Sequence, residues 1–231
     1  MPLLGTIINA VAIILGTIFG CFLKGSFPDR IKTTIMQGIS ATVIVIGLSM
    51  AIKTQNMLVV TLSMVVGGII GELLNIEKRL NDLGEGIKRH FSQDDDNFTR
   101  AFVSASLIYC VGAMAIMGSI QSGLTGDHST LLVKSVLDGI SSIVFSSSMG
   151  IGVAFSSLPV LVYQGSITLA ASYVKEFATE AIITEMSAVG GVLIFCIGIN
   201  MLDIKANIRV GNLLPAIFAS IFFTIILSSL T

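Results

Sequence analysis

The fold is decided by an apolar stretch at residues 131–150, which reads LLVKSVLDGISSIVFSSSMG. On a helical wheel at about 100° per residue, six of its polar side chains fall within about 80° of Asp138, and the opposite side is mostly aliphatic. These six side chains, here named the polar stripe, are Lys134, Ser135, Asp138, Ser141, Ser142 and Ser146. An apolar helix of this length with one polar face predicts a membrane span whose polar face meets protein rather than lipid.

The composition of the whole chain agrees with a membrane location. Hydrophobic residues make up 53% of the 231 residues, charged residues 12%, and the mean hydropathy is +0.92. A soluble domain would carry about 25% charged residues. The formal net charge of −1 gives no reason to expect a nucleic-acid partner. The three cysteines lie in separate apolar runs without metal-ligand spacing.

Eight apolar runs are long enough to predict spanning helices. They cover roughly 3–23, 34–52, 57–76, 101–120, 131–150, 153–174, 181–201 and 211–230. We therefore expect an all-α polytopic transmembrane helical bundle, with residues 1–231 forming a single transmembrane domain. Only Ile151 and Gly152 separate the fifth run from the sixth, so helices broken within the membrane, and a total of seven spans, are the alternative.

The distribution of basic residues between the loops predicts the orientation. With eight spans, ten of the 13 Lys and Arg residues fall on one side, whereas Lys53, Lys134 and Lys175 fall on the other. Since Lys and Arg are enriched on the cytoplasmic side of membrane proteins, both termini are predicted to face outward.

The segment 77–100 is the one long polar loop, and we expect it to be cytoplasmic. Apolar residues recur every three or four positions from 76 to 91 with charged residues between them, which predicts an amphipathic helix lying on the membrane surface. The acidic triplet 94–96 follows it. Three adjacent residues cannot converge on one ion from a helix or strand, so we expect no metal site there, and no cofactor elsewhere.

A short internal repeat links the second and seventh spans. Residues 45–50 read VIGLSM and residues 196–201 read CIGINM. If spans 1–3 correspond to spans 6–8, the matched spans run in opposite directions, as in the inverted repeats of secondary transporters. Chance recurrence is the alternative, because Gly, Ile and Met are common in any apolar chain.

Within the polar stripe, Asp138 is the strongest candidate for a functional residue. It lies about 10 Å from the predicted outer end of the fifth span, where a carboxylate must be paired, protonated or hydrated. Lys134 precedes it by four residues on the same face and can form an ion pair with it. The pair predicts an ion or proton site in a polar cavity, or alternatively a structural contact that joins two helices.

Further polar residues extend the predicted site. Ser142 and Ser146 follow along the stripe, and Gln164 lies near the middle of the sixth span, after a proline that is expected to kink the helix. Asn9 in the first span and Glu72 near the inner end of the third are second-tier candidates.

No enzyme is expected from the motifs. His90 and His128 both fall in loops on opposite sides of the predicted topology, so neither can serve a buried Ser or Cys as a base. No phosphate-binding glycine loop is present, and Asp138 has no second buried Asp with which to form a protease pair.

Four motifs carry a family resemblance: Gly5–Asn9, Gly71–Glu77, Val111–Gln121 and the long stretch Lys134–Gly165. On these motifs, and over essentially its whole length, the chain resembles the YdfK/YqgA family of bacterial inner-membrane proteins. The resemblance implies a small multispan protein of the bacterial plasma membrane. The family is a domain of unknown function, often described as a transport protein, so the resemblance implies no substrate and no site residues.

Together, these observations lead us to expect a transporter or permease for a small solute or ion, with a polar site between spans 5 and 6. The alternative is a non-transporting membrane scaffold or sensor that acts through the interfacial helix at 77–91. The expected partners are the lipid bilayer and an unidentified small solute or ion. Association into a homo-oligomer is left open.

Overall fold

The computed structural model describes residues 1–24, 29–91, 97–173, 179–202 and 208–228. Within these ranges the chain forms helices and no strands. The helices are α1 (Leu4–Lys24), α2 (Asp29–Ala51), α3 (Met57–Leu74), α4 (Ile76–Phe91), α5 (Phe98–Cys110), α6 (Ala113–Thr125), α7 (Ser129–Met149), α8 (Gly152–Phe155), α9 (Ser157–Leu169), α10 (Glu180–Met201), α11 (Val210–Leu213) and α12 (Pro215–Ser228). The protein is therefore an all-helical polytopic bundle, and the amphipathic pattern at 76–91 forms α4 as predicted.

Seven helical segments of the described chain are long and apolar enough to cross a membrane. They are Leu4–Leu23, Thr33–Ala51, Met57–Leu74, Ser129–Met149, Gly152–Leu169, Glu180–Met201 and Val210–Leu227. The predicted fourth span is not one straight helix, because α5 and α6 meet at an angle of 60°. Gly112 separates them with φ 131°, a conformation that favours glycine. The sequence did not mark this break, since glycine is frequent in spans that stay straight.

The bent pair α5–α6 nevertheless runs from one end of its neighbours to the other. At the start of α5, the backbone of Phe98 packs against Gly152, just after the end of α7. Near the end of α6, the Ser122 hydroxyl donates to the Pro2 carbonyl, 2.6 Å away, just before the start of α1. Because α1 and α7 are parallel, as shown below, these are opposite ends. Counted as one broken span, the pair brings the candidate crossings of the described residues to eight.

The described residues cluster into two compact units. Unit 1 contains Met1–Ile35 and Asp82–Glu176, and unit 2 contains Met36–Asn81 and Phe177–Thr231. Each unit thus takes helices from both halves of the chain.

In unit 1, α1 and α7 pack side by side in the same direction. Gly5 faces Leu131, Gly16 faces Gly139 and Ser142, and Gly20 faces Ser146. The partner number rises with the glycine number, as in parallel helices. A Cβ at Gly16 would overlap the Gly139 carbonyl oxygen, so these glycines allow the two backbones to approach closely.

The fifth and sixth predicted spans are separate helices. Gly150 ends α7 with φ 89°, and α8 begins two residues later. The sixth span is interrupted at Ser156, between α8 and α9. Pro159 lies in the first turn of α9, so the missing N–H of proline falls where a helix start needs none.

In unit 2, α2 and α10 cross through their glycines. Gly47 faces Phe195 and Gly191, whereas Gly198 faces Ile44 and Ser40. Adding 151 to each α2 number and subtracting 151 from each α10 number converts the first set of contacts into the second. This shift is the one that aligns the two copies of the sequence repeat. Alongside, α3 packs against α12, where Gly67 faces Ala216.

Candidate functional site

The polar stripe of α7 faces the interior of unit 1. Its buried members are Lys134, Ser135, Asp138, Ser142 and Ser146, and Ser141 is half-buried. The aliphatic side is exposed at Val133, Val136, Leu137, Ile140 and Val144. In a bilayer this exposed side meets lipid, so the stripe directs its polar groups towards α1, as the helical wheel predicts.

A buried ion pair stands at the centre of the stripe. The Lys134 ammonium donates to Asp138 Oδ2, 2.7 Å away, and the side chains are only 8% and 9% exposed. The two residues are one helical turn apart, so α7 alone holds the pair in place. Each charge cancels the other, and the local formal charge is zero.

Two amides from other helices join the pair. Asn9 of α1 donates from Nδ2 to Asp138 Oδ2 at 3.0 Å, and the same nitrogen lies 3.4 Å from Gln164 Oε1 on α9. An ionised carboxylate can only accept, so Asp138 fixes the orientation of the Asn9 amide, and Asn9 in turn fixes that of Gln164. Three helices of unit 1 therefore converge on one polar cluster, here named the Asp138 cluster: Asn9, Lys134, Asp138 and Gln164.

Both amides keep an unpartnered polar atom. Asn9 Oδ1 and Gln164 Nε2 are buried and have no hydrogen-bond partner among the described residues. Leaving such a group unsatisfied costs about 1–3 kcal/mol. A cluster that served only to join helices would be expected to use these atoms, so they indicate an arrangement suited to a further polar molecule.

Next to the cluster, the stripe binds a tyrosine of α5. Tyr109 is fully buried, and its hydroxyl lies 2.9 Å from Ser142 Oγ. Ser146 donates to the Ser142 carbonyl at 2.6 Å. Sequence reasoning missed Tyr109; the available signal was a single phenol inside an apolar run, and its partner lies 33 positions away.

The α6–α7 turn lies at the end of unit 1 that carries Pro2, here named the Pro2 end. The Ser122 hydroxyl donates its one proton to the Pro2 carbonyl, so His128 Nδ1, 2.8 Å from Ser122 Oγ, must be the donor in their contact. In the same turn, the backbone N–H of Ser129 donates to the Asp127 carboxylate and lowers its pKa below the ordinary 3.8.

Glu72 is the one predicted site residue that lies in unit 2. Its carboxylate accepts from Arg209 at 2.6 Å and from Asn212 Nδ2 at 2.5 Å. The Asn212 side-chain oxygen accepts from the backbone of Glu77 at 2.7 Å. These contacts tie the end of α3 and the start of α4 to α11. The remaining predicted site residues all lie on α1, α7 and α9 of unit 1.

No group of three or more His, Cys, Asp or Glu side chains suited to a metal ion occurs in the part of the chain that the structure describes. The acidic triplet 94–96 lies outside it. The side chains of the Asp138 cluster supply an ion pair, two amides and one carboxyl group that can exchange a proton.

Comparison with known proteins gives consistent matches over nearly the whole chain. The profile of a family described as "Protein of unknown function (DUF554)" matches residues 4–225. The chain is 33% identical to the uncharacterized membrane protein YdfK of Bacillus subtilis over 219 residues, which are 92% of each chain. It is 31% identical to the uncharacterized protein YqgA of Escherichia coli over 219 residues, 93% of each chain. No solved structure matches. With a family profile that covers almost every residue and two full-length relatives above 30% identity, the chain belongs to the DUF554 family of membrane proteins.

Proposed function

We propose that the protein transports a small solute or ion across the bacterial plasma membrane, with both termini outside, and that the Asp138 cluster is its binding site. The observation that carries the proposal is the pair of unpartnered amide atoms, Asn9 Oδ1 and Gln164 Nε2, beside a buried ion pair. Polar groups inside a membrane are costly and are typically retained for function.

The geometry supports binding rather than structural support alone. Asp138 and Lys134 already neutralise each other's charge, and the amides of Asn9 and Gln164 bring two polar atoms that the cluster itself leaves unused. Asn9 and Gln164 come from two further helices, and their free acceptor and free donor point to a ligand that both donates and accepts hydrogen bonds.

The charge of the cluster limits the kind of cargo. Because the ion pair is neutral, the site offers no net attraction for either sign of charge. A small neutral or zwitterionic solute fits this balance, as does an ion that displaces one member of the pair.

The test is electrical recording from proteoliposomes on a solid-supported membrane, with amino acids, alkali cations and acid steps as probes. Wild-type protein should give a transient current with at least one of them. The double variant Lys134→Met/Asp138→Asn removes both charges together and should abolish that current. Asp127→Asn makes the same acid-to-amide change on an exposed turn and should keep it. Wild-type currents in the double variant would refute the site, and no current with any probe would refute transport of these solutes.

A second candidate function, a scaffold or sensor, is favoured by the surface of α4. Leu83 is 61% exposed, and Lys78 and Arg79 are exposed on the same helix. Such a face suits a lipid surface or a partner protein. Leu83→Glu should abolish binding to a partner in pull-down experiments and leave solute currents intact. The opposite result, lost currents with retained binding, would argue against the scaffold function.

A further inference from the structure

We propose that buried hydroxyls between α1, α6 and α9 hold a file of water molecules that carries protons from the Pro2 end of unit 1 to Asp138. This inference rests on the proposed function, for which it names the proton as the coupling ion. The hydroxyls are those of Thr6, Ser119 and Thr168, none of which was singled out by the sequence.

The position of each hydroxyl follows from a neighbour on the same helix. Thr6 lies one turn before Asn9 on α1, and Thr168 lies one turn after Gln164 on α9. Asn9 and Gln164 face each other, so the two threonines continue the same pair of facing surfaces towards the Pro2 end.

The third hydroxyl comes from α6. Ser119 lies one turn before Ser122, which bonds the Pro2 carbonyl. It also lies one turn before Gly123, which packs against the backbone of Thr168. Ser119 is therefore on the side of α6 that meets both α1 and α9.

All three hydroxyls are deeply buried and lack partners. Thr6, Ser119 and Thr168 are at most 3% exposed, and their oxygens have no hydrogen-bond partner among the described residues. With Asn9 Oδ1 and Gln164 Nε2, they make five unpartnered polar atoms in the half of unit 1 between the Pro2 end and Asp138.

Water is the occupant that this set of atoms fits. Buried water usually makes about three hydrogen bonds to groups that would otherwise stay unsatisfied. The hydroxyls can both donate and accept, Asn9 Oδ1 accepts, and Gln164 Nε2 donates, so a line of water molecules finds partners of both kinds. Within 4–23 and 113–125, α1 and α6 carry no Asp, Glu, Lys, Arg or His, so a metal cation would find no compensating charge there.

The opposite half of unit 1 offers fewer unpartnered polar atoms. A Cβ at Gly16 or Gly20 would overlap atoms of α7, and the hydroxyls of Tyr109, Ser142 and Ser146 already have partners. Thr17 and Ser148 add two unpartnered hydroxyls to that half. The better-connected route to Asp138 is thus from the Pro2 end.

The proton step at Asp138 is simple. The carboxylate takes H⁺ from a hydronium ion of the file and becomes a neutral carboxyl group, one water stays in the file, and Lys134 keeps its own proton. The titratable groups that interact with Asp138 are Lys134 on its own helix and Tyr109 and Cys110 on α5. Tyr163 on α9 interacts with Cys110, and His128 lies at the Pro2 end. Asp138 is the one carboxyl group among them.

A neutral carboxyl would also reorient the site. It gains one O–H donor and keeps one acceptor oxygen. Where the O–H points to Asn9, the Asn9 amide turns its oxygen to Asp138 and Gln164 turns its nitrogen to Asn9. Proton uptake would then exchange the free acceptor and the free donor that the cluster presents to a solute.

Infrared spectroscopy of the full chain in lipid tests this inference without a substrate. After an acid step, the carboxyl C=O band of Asp138 is followed in time and identified by its absence in Asp138→Asn. The double variant Thr6→Val/Thr168→Val removes two hydroxyls at nearly constant volume. It should slow the appearance of the band by about tenfold or more, because two hydrogen-bonded stations of the file are lost; a tenfold change corresponds to about 1.4 kcal/mol in the barrier.

Thr42→Val/Thr61→Val is the matched control, since both hydroxyls are exposed and bond their own helices. It should leave the rate unchanged. An unchanged rate in the folded Thr6/Thr168 variant would overturn the water file, and absence of any Asp138 band in wild type would overturn proton uptake. In either case the loss of solute currents in Lys134→Met/Asp138→Asn would stand by itself, so failure of the file is distinguishable from failure of the transport proposal.

Discussion

The buried pair of Lys134 and Asp138 leads to the sharpest prediction on stability. Either charge left alone at 6% exposure loses its compensation, and breaking a buried pair costs about 3–5 kcal/mol. For a chain of 150–250 residues, 1 kcal/mol corresponds to about 2–4 °C in Tm. Asp138→Asn and Lys134→Met should therefore each lower Tm by about 6–20 °C.

The double variant should behave differently from the sum of its parts. Lys134→Met/Asp138→Asn contains no buried charge, and the new amide at 138 can still accept from Asn9. Its Tm should lie close to that of wild type, since a neutral replacement of a buried pair is often tolerated.

A thiol-reactive fluorophore suits the measurement. The chain has no Trp, whereas its three free cysteines are partly buried in the folded protein and become reactive on unfolding. Additive losses in the double variant would show that the two charges do not compensate each other. Wild-type Tm in both single variants would show that the pair is hydrated well enough to need no partner, and would remove the energetic argument for the site.

Three further predictions concern packing, capping and pH. Gly16→Ala should lower the free energy of unfolding by about 1–3 kcal/mol, because the added Cβ overlaps the backbone of α7. Gly38→Ala is the control: its Cβ meets open space, and it should raise the free energy of unfolding by about 0.5–1 kcal/mol in the same thermal assay. Glu185→Gln should speed hydrogen exchange in the α2–α3 turn, because three donors of this turn bind the buried Glu185 carboxylate. Glu180→Gln makes the same change at an exposed position of the same helix and should leave the exchange rate unchanged. The hydrogen bonds to Asp127 depress its folded pKa, so their stabilisation is complete above about pH 3.8 and is lost as the pH falls through the folded pKa. The NMR shift of the Ser129 amide, which binds this carboxylate, should therefore titrate below pH 3.8. A midpoint above that value would contradict the contact.

Local sequence patterns predicted the parts of the fold that depend on periodicity. The buried and exposed sides of α7 follow from the 3.6-residue period of the polar stripe, and the pairing of Lys134 with Asp138 follows from their spacing of four. The contact between Asn9 and Asp138 spans 129 positions, and only the packing of α1 on α7 creates it. Sequence reasoning could rank Asn9 as a candidate but could not place it.

The hydroxyls at the Pro2 end were invisible to pattern analysis for a related reason. A Ser or Thr in an apolar helix normally bonds a carbonyl one turn back, as Ser146 and Thr224 do here, so its identity carries no signal. What sets Thr6, Ser119 and Thr168 apart is the lack of such a bond, which becomes evident only once every neighbouring atom is placed. For Glu72, the sequence could not show that Arg209 and Asn212, 137 and 140 positions away, bind its two oxygens, and its role in the site stays a prediction.

The repeat gains weight because two independent signals coincide in unit 2. In the sequence, a shift of 151 aligns residues 45–50 with residues 196–201. In the structure, the same shift exchanges the contact of Gly47 with Phe195 for that of Gly198 with Ile44. Chance matches among Gly, Ile and Met would have no reason to fall where their two helices cross. Along this contact the α10 number falls as the α2 number rises, from Ser40 with Gly198 to Ala51 with Gly191, so α2 and α10 run in opposite directions. The inverted repeat of spans 1–3 and 6–8 stays a prediction. The polar cluster lies on α1, α7 and α9 of unit 1, and therefore outside this symmetric pair.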